Sequence, residues 1–198
     1  IAIFYAGINL IYPIVSLAGI ALASPFSWTF LKPYQQNRIM IFLNPDLDPL
    51  GKGYHIIQSK IAIGSGGQNG NGFLGGSQSS LDFLPEKETD FVFAIFSEQF
   101  GFTGSMIILG LFLIFFLIPI FKSFKLSQVF NKLILFVLSF KIFFEFLINI
   151  SMTIGLVPVV GVALPFMSYG GSSLLSNLII CALLINFMSI TEKKRMFS

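Results

Sequence analysis

An all-α, polytopic membrane protein with one large loop outside the bilayer is what this sequence predicts, on three observations. Of its 198 residues, 55% are hydrophobic and only 11% are charged, with a mean hydropathy of +0.84; soluble domains carry about 25% charged residues. The apolar residues fall in runs that reach the roughly 20 residues a spanning helix needs. Between Lys32 and Asp90 that pattern is interrupted by a polar, glycine-rich insert, which ends in Glu86-Lys87-Glu88-Thr89-Asp90.

The elements follow in order. Residues 1–6 read as the tail of a span that starts upstream, and Gly7-Ile8-Asn9 as a turn. With Ile1 in place of Met and no visible signal peptide, the chain reads as the C-terminal part of a longer protein. A first complete span covers about 10–31, with Pro13 near its start, where a missing N–H is tolerated, and Trp28 and Tyr34 at an interface. A second covers about 91–118 and is expected to end at Pro119. A short loop, 119–132, leads to a third span at about 133–154. A Gly/Pro-rich connection, 155–171, leads to a fourth at about 172–190, and a charged tail follows.

Lys122, Lys125 and Lys132 in the 119–132 loop, with Lys193, Lys194 and Arg195 in the tail, place both segments in the cytoplasm by the positive-inside rule. Alternation then sets the insert, 32–90, and the 155–171 connection together on the outer face. A structureless insert of this length would be unusual. Tyr54, Ile57 and Ile61 recur at helical spacing, which predicts a short amphipathic helix at the interface. Gly64-Ser65-Gly66-Gly67 and Gly70-Asn71-Gly72 allow tight turns and close approach of a ligand.

Several functions are excluded. A net charge of +3 without a basic stripe interleaved with aromatics argues against nucleic acid. His55 is the one histidine, so no His-cluster metal site can form. The single Cys181 lies in an apolar run and reads as a small buried hydrophobe.

Asp90 is the first candidate for chemistry. At the N-terminal end of a span, an Asp can serve as an N-cap; at an apolar boundary it can also serve as a general base, because desolvation disfavours the charged form. Glu86 and Glu88 around Lys87 read as a solvated charge run. Arg38, Lys52 and Lys60 are interface cations that together could hold a diphosphate. Asp46 and Asp48 read as turn formers. Glu98, Lys141 and Glu145 lie inside spans, where charges face an interior or a cavity. Lys141 and Glu145 have i, i+4 spacing and can pair; Glu98, about two turns from Asp90 on one helix face, could line the same cavity. Ser168-Tyr169-Gly170-Gly171-Ser172-Ser173 opens the last span, where hydroxyls and helix N–H groups can cap or bind phosphate.

Taken together, these segments resemble the SEDS family (shape, elongation, division and sporulation proteins). The runs that carry the resemblance are Leu31-Lys32-Pro33-Tyr34-Gln35, Phe42-Leu43-Asn44-Pro45, Asp48-Pro49-Leu50-Gly51, and Gly53 to Gly67 through Gln58-Ser59-Lys60-Ile61-Ala62-Ile63-Gly64. Gln78-Ser79-Ser80-Leu81-Asp82-Phe83-Leu84-Pro85-Glu86, Thr89-Asp90-Phe91-Val92-Phe93-Ala94 and Pro165 to Ser173 continue it in order. The match is closer to the elongation branch than to the division branch. Three positions depart from the family pattern: Asn71 where Lys is common, Gln99 where a second Glu is frequent, and Ser151 in place of Gly.

The resemblance implies a ten-helix membrane enzyme, of which this chain is roughly the C-terminal half, in the bacterial cytoplasmic membrane. It implies polymerisation of lipid II, the undecaprenyl-diphosphate precursor of peptidoglycan, with a class B penicillin-binding protein as transpeptidase partner. It maps the family's essential loop Asp onto Asp90. On that expectation Asp90 is the catalytic base, and Arg38, Lys52, Gln58, Lys60, Glu98, Ser168 and Tyr169 are candidates for binding substrate. Lys60, Arg38 or a divalent cation would offset charge on the leaving diphosphate; no metal ligands can be named. The alternatives are a lipid II flippase, using Glu98, Lys141 and Glu145 as a polar path, and a non-enzymatic scaffold of the cell-wall machinery.

Overall fold

A computed structural model describes residues 11–49, 51–73, 75–76, 89–126 and 128–196. The described residues form six α-helices: α1 (Ile11–Phe30), α2 (Pro33–Leu43), α3 (Lys52–Ser65), α4 (Val92–Phe124), α5 (Val129–Thr153) and α6 (Gly171–Met196). By length and composition Val92–Phe124, Val129–Thr153 and Gly171–Ser189 can cross a membrane, and α1 holds a shorter apolar stretch, Ile14–Ala23. The turn expected at Gly7-Ile8-Asn9 and the run from Gln78 to Glu88 lie outside the described residues.

The insert folds back on itself before it reaches the bundle. Pro33 occupies the first turn of α2, where its missing N–H is not needed, and Gln35 Oε1 accepts the Lys32 N–H at 3.0 Å. A 3₁₀ turn, Pro45–Leu47, follows. Asp48 then takes the Lys52 N–H on Oδ2 at 2.9 Å and so closes the start of α3. A Cβ at Gly51 would sit 2.4 Å from that oxygen, so a larger residue there would require the carboxylate to shift.

α3 presents a different face to the protein from the one its apolar spacing predicts. Gly53, Ile56, Ser59 and Ala62 are buried, whereas Tyr54 and Ile57 are half-buried and Ile61 is exposed. The reason is steric. Small residues such as Ser59 and Ala62 on the buried face let α3 approach its neighbours closely. Ser59 Oγ seals the contact by donating to the Thr153 carbonyl at 2.7 Å. Ile56, Ala62, Phe91, Ala94, Met152 and Val159 form the core at this junction.

α4 and α5 run side by side on stacked rings, Phe112 on Phe146 at 4.3 Å and Phe116 on Phe143 at 4.2 Å. Leu135 and Ile142 of α5 pack on Ile180 and Leu184 of α6. Pro119 does not end α4: the helix runs through it to Phe124, with Pro119 buried. A proline removes one backbone donor, and transmembrane helices tolerate this where neighbouring packing and side chains take up the freed groups.

The break in α4 lies elsewhere. Gly101 has φ 65° and ψ −165°, a conformation open essentially to glycine. The loop after α3 fills the break. Asn71 N–H donates to the Glu98 carbonyl at 3.0 Å and Gly72 N–H to that of Gln99 at 3.1 Å. In return Phe102 N–H donates to Gly67 O at 2.9 Å and Thr103 N–H to Gln68 O at 3.1 Å. The groups that a helix end leaves without partners are thus paired with the glycine loop.

Candidate functional site

The start of α4, the end of α5 and the connection before α6 meet at one end of the bundle, and Asp90 is at the centre of that meeting. Asp90 is half-buried and stands one residue before the helix cap, which is Phe91 and carries no side-chain cap bond. Phe91, and not Asp90, thus occupies the cap position of α4.

Two side chains anchor the main chain here. Asn149 Nδ2 donates to the Asp90 carbonyl at 3.0 Å and to the Val162 carbonyl at 2.7 Å. Ser168 Oγ donates to the Thr89 carbonyl at 2.5 Å and accepts the Leu164 N–H at 2.7 Å. Asn149 is fully buried near the end of α5. Sequence reasoning did not single it out; the available signal was an amide inside an otherwise apolar span.

The connection supplies the facing wall. Gly161, at φ 76°, is exposed, and a Cβ there would stand 3.4 Å from Asp90 Oδ2. Gly155, at φ 75°, receives the Lys60 side chain: a Cβ would meet Lys60 Cε at 2.2 Å and Nζ at 2.7 Å. The carboxylate of Asp90 and the ammonium of Lys60 thus bear on glycines six positions apart in one segment. Between the start of α4 and the start of α6 opens a cavity of about 560 Å³, lined by Val92, Phe166, Ser168, Tyr169 and Gly170 among others. Tyr169 is exposed at its rim.

The other predicted residues are engaged elsewhere or more locally. Arg38 lies 6.0 Å from the centre of the Tyr34 ring on α2. Lys52 opens α3 with its side chain exposed, and Gln58 is half-buried on the same helix. Glu98 is fully buried, with Ser65 Oγ donating to Oε1 at 3.5 Å; a Cβ at Gly76 would fall 2.4 Å from Oε2. It is enclosed between the insert and α4. Lys141 Nζ bonds Glu145 Oε1 at 2.7 Å and Asn177 Oδ1 at 3.0 Å, a cluster between α5 and α6. Glu86, Lys87 and Glu88 lie outside the described residues. Among the described residues no three His, Cys, Asp or Glu side chains gather as a metal site.

The family model described as "Cell cycle protein", covering FtsW, RodA and SpoVE, matches residues 1–193. The chain belongs to the FtsW/RodA/SpoVE family. Among the relatives of this FtsW/RodA/SpoVE chain, the peptidoglycan glycosyltransferase RodA of Treponema pallidum is 48% identical over 156 residues, 79% of this chain and 36% of the relative. Peptidoglycan glycosyltransferase MrdB of Escherichia coli is 43% identical over 176 residues, 87% and 47% of the two chains. Stage V sporulation protein E of Bacillus subtilis is 40% identical over 186 residues, 94% and 50%. A solved chain from work on the "structural coordination of polymerization and crosslinking by a peptidoglycan synthase complex" superposes with a TM-score of 0.74 at 31% identity. It covers 96% of this chain and 53% of its own length. The chain thus spans about half or less of the length of the curated relatives it matches.

Proposed function

We propose that the full-length protein polymerises lipid II into glycan strands at the outer face of the cytoplasmic membrane, with Asp90 as general base. The observation that carries this reading is the Asp90 junction. It is a half-buried carboxylate at the head of a long apolar helix, with its backbone held from two sides and a glycine opposite Oδ2. Relatives named as peptidoglycan glycosyltransferases support the activity.

In the reaction, Asp90 takes the proton of an acceptor-sugar hydroxyl as its oxygen attacks the anomeric carbon of the donor. The bond from that carbon to the diphosphate oxygen breaks, and the lipid diphosphate leaves with the electron pair. Lys60 is the candidate to offset that charge, since it bears on the same connection as Asp90. The cavity beside Ser168 and Tyr169 would admit the polar head, with apolar helices beneath it for the prenyl chain. The partner class is a transpeptidase; this rests on the solved neighbour, which belongs to a complex of polymerisation and crosslinking.

Asp90→Asn in the full-length protein tests the reading. With purified lipid II in detergent, glycan polymer is expected to fall by at least about 10²-fold, the lower range for loss of a general base. Normal polymerisation by a correctly folded variant would sink it. Polymer made by the unaltered protein in detergent, where there is no membrane to flip across, separates the enzyme from a transporter.

A further inference from the structure

We propose that Asn149 and Ser168 are positioning residues that set the Asp90 carboxylate for proton transfer; this rests on Asp90 being the base. Three observations lead there. The two carbonyls that precede α4, those of Thr89 and Asp90, are each taken by a side chain from a different element. Neither side chain is satisfied by that bond alone. Asn149 spends its second N–H on Val162, next to Gly161, and Ser168 accepts the Leu164 N–H. The same two residues therefore fix the base and the wall it faces, as one unit.

Asn149 is also costly to keep. Its Oδ1 is buried and finds no partner among the described residues. An amide retained in an apolar span with a buried acceptor left over is poor packing for stability alone. Its two donated bonds account for it: they tie α4 to the 155–171 connection across the site. Ser168, expected above to bind substrate, has its hydroxyl engaged with the protein on both sides, so its role shifts from contact to placement.

Positioning has a kinetic signature. Displacing a base by about 1 Å can cost on the order of 10²-fold in rate without changing how substrate binds. In the full-length protein, Asn149→Ala and Ser168→Ala are expected to lower kcat by about 10- to 100-fold, with KM changed less than about threefold. Ser168→Thr, which keeps the hydroxyl, is expected to recover most of that loss. Melting temperature in detergent identifies variants that retain the fold.

If Asn149→Ala does not fold, Ser168→Ala with its Thr rescue carries the test alone. Folded variants with unaltered kcat, or a loss confined to KM, overturn the positioning role while leaving Asp90→Asn to judge the base. If Asp90→Asn is itself active, both readings fall together.

Discussion

Glycines at two positions do work that no other residue could do at the same backbone. At Gly155 and Gly161 φ is positive, which favours glycine; at Gly155 the missing side chain also leaves room for Lys60, while a Cβ at Gly161 would make ordinary contact with Asp90 Oδ2 at 3.4 Å. Gly155→Ala should therefore carry two penalties. The left-handed backbone costs a non-glycine residue about 1–2 kcal/mol, and the new methyl collides with the Lys60 stem. We expect lowered thermal stability together with weakened turnover; Lys60→Ala in the same background, which removes the Cε that a Cβ would meet, should relieve the collision but not the turnover. Full activity and an unchanged melting temperature in Gly155→Ala would show that the segment is free to move away. At this scale the sequence was informative about charged groups. Asp90 stood out as a charge where a polar insert meets greasy sequence, and Lys60 was one of three insert cations beside Arg38 and Lys52. Asn149 did not, because an amide in an apolar span has several readings until its two acceptor carbonyls are brought to it by the fold.

Helix α4 is best understood as two helices joined at Gly101. The sequence predicted one span, with a stop at Pro119; the chain instead passes through Pro119 and breaks eighteen residues earlier. Proline is the stronger local signal, but it removes only one donor. The break at Gly101 frees several backbone groups and persists because Gly67, Gln68, Asn71 and Gly72 take them up. Asn71, where relatives of this kind were expected to carry Lys, contributes through its main chain, so the clip does not depend on that side chain. A Cβ at Gly101 would fall 2.3 Å from the Gly70 nitrogen. Gly101→Ala is expected to expel the loop, and faster hydrogen exchange at the Phe102 and Thr103 amides is the measurement that shows it. Unchanged protection would mean that the loop does not hold the break. The buried face of α3 shows the same limit of local reading: spacing picked out Tyr54, Ile57 and Ile61, but close packing selected Gly53, Ile56, Ser59 and Ala62.

Across the whole molecule, large apolar side chains remain exposed, among them Leu22, Phe30, Phe102, Leu111, Phe121 and Ile185. This fits a chain whose helices face lipid and further protein, in a family whose matched relatives are covered by it to about half their length or less. Orientation is the testable consequence. Tyr169→Cys is expected to react with an impermeant maleimide from outside the cell, and Lys125→Cys only after permeabilisation. The reverse pattern would put the Asp90 junction on the wrong side for a lipid-linked extracellular precursor.

Composition and hydropathy were enough by themselves to establish an all-α membrane protein with a polar insert, because bilayer thickness and backbone satisfaction leave few other options. Residue runs from Leu31 to Ser173 were enough to point to the family and to Asp90. Only the tertiary structure decided what surrounds that acid. Asn149 is 59 residues away in sequence and Ser168 is 79 from Thr89, and no local pattern encodes a contact at that distance. It arises because the end of α5 and the connection to α6 must pack where α4 begins, and buried carbonyls left there need donors.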